Sequence, residues 1–182
     1  TMANAAEVLV RRRAEISGVA GRALDLLLGE TGRFQRMVVD LLEISSDRDD
    51  GPSESVDLVD LVDHVVGVRP TARPVVESAE PAPVVQGDRR RLDRVVANLL
   101  DNADRYGGGP VRVAVLRHGG QARVEVDDAG PGVAEQYREV VFERFARGAE
   151  AGRRGGDGGS GLGLALVAQH VRYHGGAVWV ED

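Results

Sequence analysis

The chain has 182 residues, of which 42% are hydrophobic, and carries a net charge of −6. That length and composition supply one ordinary core with residues left for an appendage. The acidic balance excludes a general nucleic-acid or anionic-membrane surface, which needs a dense basic patch, and the absence of cysteine excludes disulfide staples and thiol chemistry.

In chain order, Met2, Ala5 and Leu9 keep a helical spacing, and Ser17-Gly18 offers a turn. Leu24, Leu27, Thr31, Phe34, Val38, Leu41 and Ser45 then alternate at intervals of three and four, which is the seam of a helical bundle. The spacing predicts one long helix over 17–46 and, with the shorter stretch before it, a helical hairpin over 1–46. Such a seam is covered either by a second copy in a four-helix bundle, giving a homodimer, or by packing on the chain's own globular domain. Asp47 to Ser55 is acidic, contains Gly51-Pro52 and reads as a linker.

Val56 to Val66 reads as an amphipathic helix, and Val75-Val76 and Val84-Val85 as short strands. Arg89 to Tyr106 reads as a helix whose apolar arc holds Leu92, Val95, Val96, Leu99 and Ala103. Val111–Leu116 and Ala122–Val126 flank Gly119-Gly120 as a β-hairpin. Pro131 to Gly159 is irregular with a helical piece near Phe142. Ser160 to His174 reads as a helix ended by Gly175, and Val178 to Val180 as a last strand. Together these make an α+β fold with a partly antiparallel sheet. No apolar run approaches the roughly 18 residues that span a bilayer.

Three segments carry chemistry. Asn98, Asn102 and Arg105 form a stripe bordering the apolar arc of their helix, as groups on a cleft wall would. An amide oxygen suits magnesium, and Arg105 and Tyr106 suit phosphate or a nucleotide edge. Asp128 ends an alternating strand ahead of Gly130 and Gly132, where a carboxylate can accept a hydrogen bond from an exocyclic amine such as that of adenine. Gly159-Ser160-Gly161-Leu162-Gly163 opens a helix whose first amides attract anions, and the glycines from Gly148 onward suit a mobile lid. It is no P-loop, because no Gly-Lys-Ser/Thr occurs and the chain contains no lysine. Each segment alone is weak, but their order and spacing point to a pocket for ATP and Mg2+.

In this set the chain resembles the ATP-binding domain of sensor histidine kinases, within the superfamily that also holds gyrase, heat-shock chaperone and mismatch-repair ATPases. Asn98–Tyr106 is similar to the N box, Asp128–Gly132 to the first glycine box, Phe142-Glu-Arg-Phe145 to the F box and Gly159–Leu164 to the second glycine box. His174-Gly-Gly176 before a strand also matches. The resemblance covers about Val56 to Asp182, and Asp40-Leu-Leu-Glu-Ile-Ser resembles the second helix of the family's dimerisation domain.

The resemblance implies a two-layer α/β sandwich of the Bergerat type over 56–182, with a lid at about 142–161. It implies that Asp128 reads adenine, that Asn102 holds magnesium, that Asn98 and Arg105 position the triphosphate, and that Arg147 meets phosphate or the other domain. It further implies a response regulator as partner, and sensor and membrane segments upstream, so that these residues are the cytoplasmic portion of a membrane-anchored protein. Asn98 stands where hydrolysing relatives usually carry a glutamate, and an amide cannot be that base, which favours transfer to a protein acceptor.

The family's acceptor segment, His-Glu/Asp-Leu-Arg-x-Pro, does not occur here. His64, His118, His170 and His174 read as structural or solvent-facing, so the acceptor is expected upstream of Thr1 or not at all, and this chain is not expected to autophosphorylate. A last strand of the sheet is expected beyond Asp182. Two readings compete with the histidine kinase: a serine kinase of the anti-sigma-factor type, which usually lacks such a stalk, and a catalytically silent nucleotide-binding or dimerisation module.

Overall fold

The structure is a computed structural model that describes residues 18–45, 52–70, 73–146 and 160–181. Contacts divide the chain into two units after Ser45. The described part of the first is a single helix, α1 (Gly18–Ser45). Leu27, Phe34, Val38 and Leu41 of its seam are exposed, and so are Leu26, Val39 and Leu42 beside them, so the helix carries a broad apolar stripe. The shorter first arm of the expected hairpin lies outside the described residues.

The second unit runs β1 (Glu54–Asp57), α2 (Leu58–Gly67), β2 (Val75–Ser78), β3 (Val84–Gly87), α3 (Arg89–Tyr106), β4 (Pro110–His118), β5 (Gln121–Asp128), two short 3-10 turns at Glu135–Tyr137 and Val140–Phe142, and α4 (Gly163–Tyr173). The strands form two ladders. β1 pairs antiparallel with β3, while β2, β4 and β5 form a mixed sheet, with β2 parallel and β5 antiparallel to the central β4. The core lies between this sheet and the helices, where Leu61, Val62, Leu100, Val113 and Val115 are fully buried.

Local chemistry explains where the elements begin and end. The Asp57 carboxylate accepts from the N–H groups of Val59 (2.8 Å) and Asp60 (3.2 Å), so α2 starts at Leu58. Val56, expected as the first residue of that helix, instead points its side chain into the core from β1. α3 spans Arg89–Tyr106 as expected and buries Val95, Val96 and Ala103 of the expected arc, but Leu100 is fully buried and Leu99 only half-buried. Gly119-Gly120, both at positive φ, close the β4–β5 hairpin.

Across the sheet, Arg112 donates to Glu77 (2.7 Å), Asp127 (2.9 Å) and Glu125 (3.2 Å), one partner on β2 and two on β5. These bonds raise the Arg112 pKa. The strand expected at 178–180 does not form. Main-chain pairing is absent there among the described residues, and side chains hold the segment to β5 instead: the Arg123 guanidinium lies 4.9 Å from the Trp179 ring centroid and donates to Glu181 (3.0 Å). The Glu181 carboxyl is held below its usual range, first by the Trp179 N–H and then by Arg123.

Candidate functional site

α3 and α4 lie side by side and antiparallel, and they meet at two levels. At the first, Asp88 caps α3, its Oδ1 accepting from the N–H groups of Arg90 (2.9 Å) and Arg91 (3.4 Å). The Asp88 N–H in turn donates to Nε2 of His174, just past the end of α4 (3.0 Å). His174 Nδ1 lies 2.7 Å from the His170 carbonyl, which can only accept, so this nitrogen carries the proton and the ring is neutral. The Arg91 guanidinium sits 4.0 Å over the Tyr173 ring at the same end.

At the second level, about three helical turns along, Asn98 of α3 faces the start of α4. A Cβ on Gly163 would sit 3.4 Å from Asn98 Oδ1. Asn98 Nδ2 is buried and has no hydrogen-bond partner. α4 itself begins without a side-chain cap. A buried amide donor beside an uncapped helix start is a place where anionic oxygens are favoured. The helix starts three residues later than expected because Gly161 sits at φ +71°. The Ser160 hydroxyl accepts from the Leu162 N–H (3.3 Å), and the Leu162 side chain is fully buried.

Further along α3, Asn102 is half-buried, and Arg105 and Tyr106 are exposed. The helix then runs into Gly107, which meets the end of β5. A Cβ on Gly107 would stand 2.2 Å from the Asp128 carboxyl carbon, and one on Gly130 would stand 2.7 Å from Gly107 Cα and 2.8 Å from Asp128 Oδ1. Asp128 Oδ1 accepts from the Gly130 N–H (2.8 Å), so the carboxylate is oriented within its own turn. The N-box and first glycine segments thus meet in space, and both glycines are required by close approach. Gly132, at φ +72°, has open space around its Cβ position and takes no part in that contact.

The segment ending in Phe145 meets the second glycine segment. The Phe145 N–H donates to the Gly161 carbonyl (2.9 Å), and a Cβ on Gly161 would lie 2.9 Å from Phe145 Cα. Phe145 is itself at φ 62°, a strained conformation for a non-glycine residue, and is held there beside the candidate site. Arg147 and most of the expected lid lie outside the described residues.

Two contributors escape a reading of the sequence alone. Gly107 had a signal, the Gly107-Gly108-Gly109 run directly after a helix. Arg69 had none: it pairs with Asp101 and Asp104 of α3 across more than thirty residues of chain. A pocket lined by Ser53, Gln86, Gly87, Asp88, Tyr173 and His174 lies at the opposite end of α3 from Asn102–Tyr106.

A helix pair on a mixed sheet, bringing the three motif segments together at one edge, defines the two-layer sandwich of an ATPase-type domain. The family model described as histidine kinase-, DNA gyrase B- and HSP90-like ATPase matches residues 87–182, and the chain belongs to that family. The chain is 35% identical over 164 residues to the signal transduction histidine-protein kinase AfsQ2 of Streptomyces coelicolor, covering 88% of this chain and 30% of that protein. It is 37% identical over 162 residues to the histidine-protein kinase/phosphatase MprB of Mycobacterium tuberculosis, covering 86% of this chain and 32% of that protein. The chain therefore spans about a third of the length of these curated relatives. Among solved structures, the mycobacterial sensor histidine kinase MprB aligns with a TM-score of 0.57 at 36% identity, over 71% of this chain and 85% of that one.

Proposed function

We propose that the chain is the ATP-binding catalytic region of a sensor histidine kinase, which transfers the γ-phosphate of Mg-ATP to a histidine for relay to a response-regulator aspartate. The observation that carries this reading is the meeting of Asp128, Gly130 and Gly107, where two glycines let the end of α3 close on the end of β5 around an oriented carboxylate. There the Asp128 carboxylate accepts a hydrogen bond from the adenine amine. The buried Asn98 Nδ2, Arg105 and the amides of Gly161 and Gly163 hold phosphate oxygens, with Ser160 beside them and Tyr106 along the nucleotide edge.

No cluster of three histidine, cysteine, aspartate or glutamate side chains exists among the described residues. The half-buried Asn102 amide oxygen would suit magnesium as a single protein ligand, with phosphate and water completing its shell. When bound, the ion would supply neutralisation of phosphate charge. Chemistry then rests on alignment: the histidine nitrogen forms its bond to the γ-phosphorus as the bond to ADP breaks, and Asn98, as an amide, offers no base to activate water instead.

The acceptor is a histidine other than the four of this chain. His170 is buried and both ring nitrogens of His174 are occupied, while His64 and His118 are exposed on α2 and β4, outside the motif segments. The broad apolar stripe of α1 supports a homodimer formed through this helix. Among the described residues no helix is long and apolar enough to cross a membrane, so a membrane anchor and sensor would belong to other parts of the full protein. Joined to an acceptor-bearing dimerisation helix and given Mg-ATP, the catalytic unit is expected to yield a phosphoprotein that loses its label in acid. An acid-stable phosphoserine, or no labelling, contradicts the reading.

A further inference from the structure

Arg69 follows α2 and is fixed there by its own N–H, which donates to the Val66 carbonyl (3.3 Å). Its side chain is only 12% exposed and reaches α3, where Nη1 donates to Asp101 (2.8 Å) and Nη2 to Asp104. The two carboxylates bracket Asn102 and precede Arg105. Asp101 in particular stands four residues before Arg105, the spacing at which an acid and an arginine pair on a helix surface. Among the described residues, however, Arg105 is in none of the ion pairs, whereas Asp101 is held by Arg69.

Without Arg69, Asp101 has Arg105 within reach, and two uncompensated negative charges stand beside the groups that face the triphosphate. We propose that Arg69 is a positioning residue for the nucleotide: by engaging Asp101 and Asp104 it keeps Arg105 available to phosphate oxygens and removes local repulsion of the polyanion. This role rests on the nucleotide site described above. It is electrostatic, and so differs from that of a core residue, whose loss is not repaired by deleting charge.

Mg-ATP titrated at low ionic strength into the wild-type chain, Arg69→Gln, and Arg69→Gln with Asp101→Asn and Asp104→Asn separates the possibilities. Arg69→Gln is expected to weaken binding about 10-fold, and the triple variant, which has no carboxylate to compete for Arg105, to return within about threefold of wild type. Unchanged binding by Arg69→Gln overturns the proposal. So does a triple variant that binds as weakly as Arg69→Gln, because Arg69 would then act only through the fold. Should Arg69→Gln alone fail to fold, the triple variant carries the test by itself: it leaves no unpaired charge, and weak binding by this folded protein contradicts the role. Absence of Mg-ATP binding by the wild-type chain would instead sink the nucleotide reading beneath the proposal.

Discussion

Gly107 shows how much a single hydrogen atom can decide. A methyl group in its place would overlap the Asp128 carboxyl at 2.2 Å, and no rotamer change of the glycine side relieves it. Gly107→Ala is expected to cost about 1–3 kcal/mol of stability through this overpacking and to push Asp128 off its turn. Urea unfolding checks the stability, and the Mg-ATP affinity of the same variant should fall with it. At this scale the sequence was most legible where chemistry and spacing agree: Asn98, Asn102, Asp128 and Gly161 could be singled out from residue type together with the order and spacing of their segments. The reason for Gly107 was hidden, because it depends on a strand end arriving from twenty residues later. Gly132 lies in the same motif as Gly130, yet only Gly130 makes the close approach.

At the scale of elements, the α3–α4 pair is the frame of the site. The His174 clamp ties the start of α3 to the end of α4, and Asn98 faces the start of α4 at the other end, so the clamp sets how the two helices lie together without touching the motif residues. His174→Ala leaves the Asp88 N–H without its acceptor and is expected to destabilise the unit by about 1–3 kcal/mol. Thermal unfolding reads this directly, and faster amide exchange at the start of α3 is the accompanying sign. Periodicity gave the extent of α3, because its capping aspartate and apolar face agree. It gave the buried face less well: Leu100 rather than Leu99 is central, since burial depends on how the helix lies on the sheet. The 178–180 segment alternates like a strand, but alternation supplies no ladder partner, and side-chain contacts with Arg123 hold it instead. β1 was missed because its residues divide between the acidic linker composition and the apolar spacing of α2, which Val56 continues.

Across the whole molecule, the two units answer to different constraints. α1 displays more apolar surface than a lone helix in water would favour, and the second unit closes its own core. The family could be read from three short motifs because each preserves local backbone chemistry. Their convergence could not, since it depends on the antiparallel packing of α3 against α4 and on β5 ending beside Gly107. That convergence is the central claim, and calorimetric titration of Mg-ATP into the wild-type chain and into Asp128→Asn and Asn102→Ala tests it most directly. The expected result is one saturable site in the wild type, weakened about 10-fold or more by either substitution in a chain that remains folded. Binding that both variants retain at wild-type strength, or no binding by the wild-type chain, would contradict it.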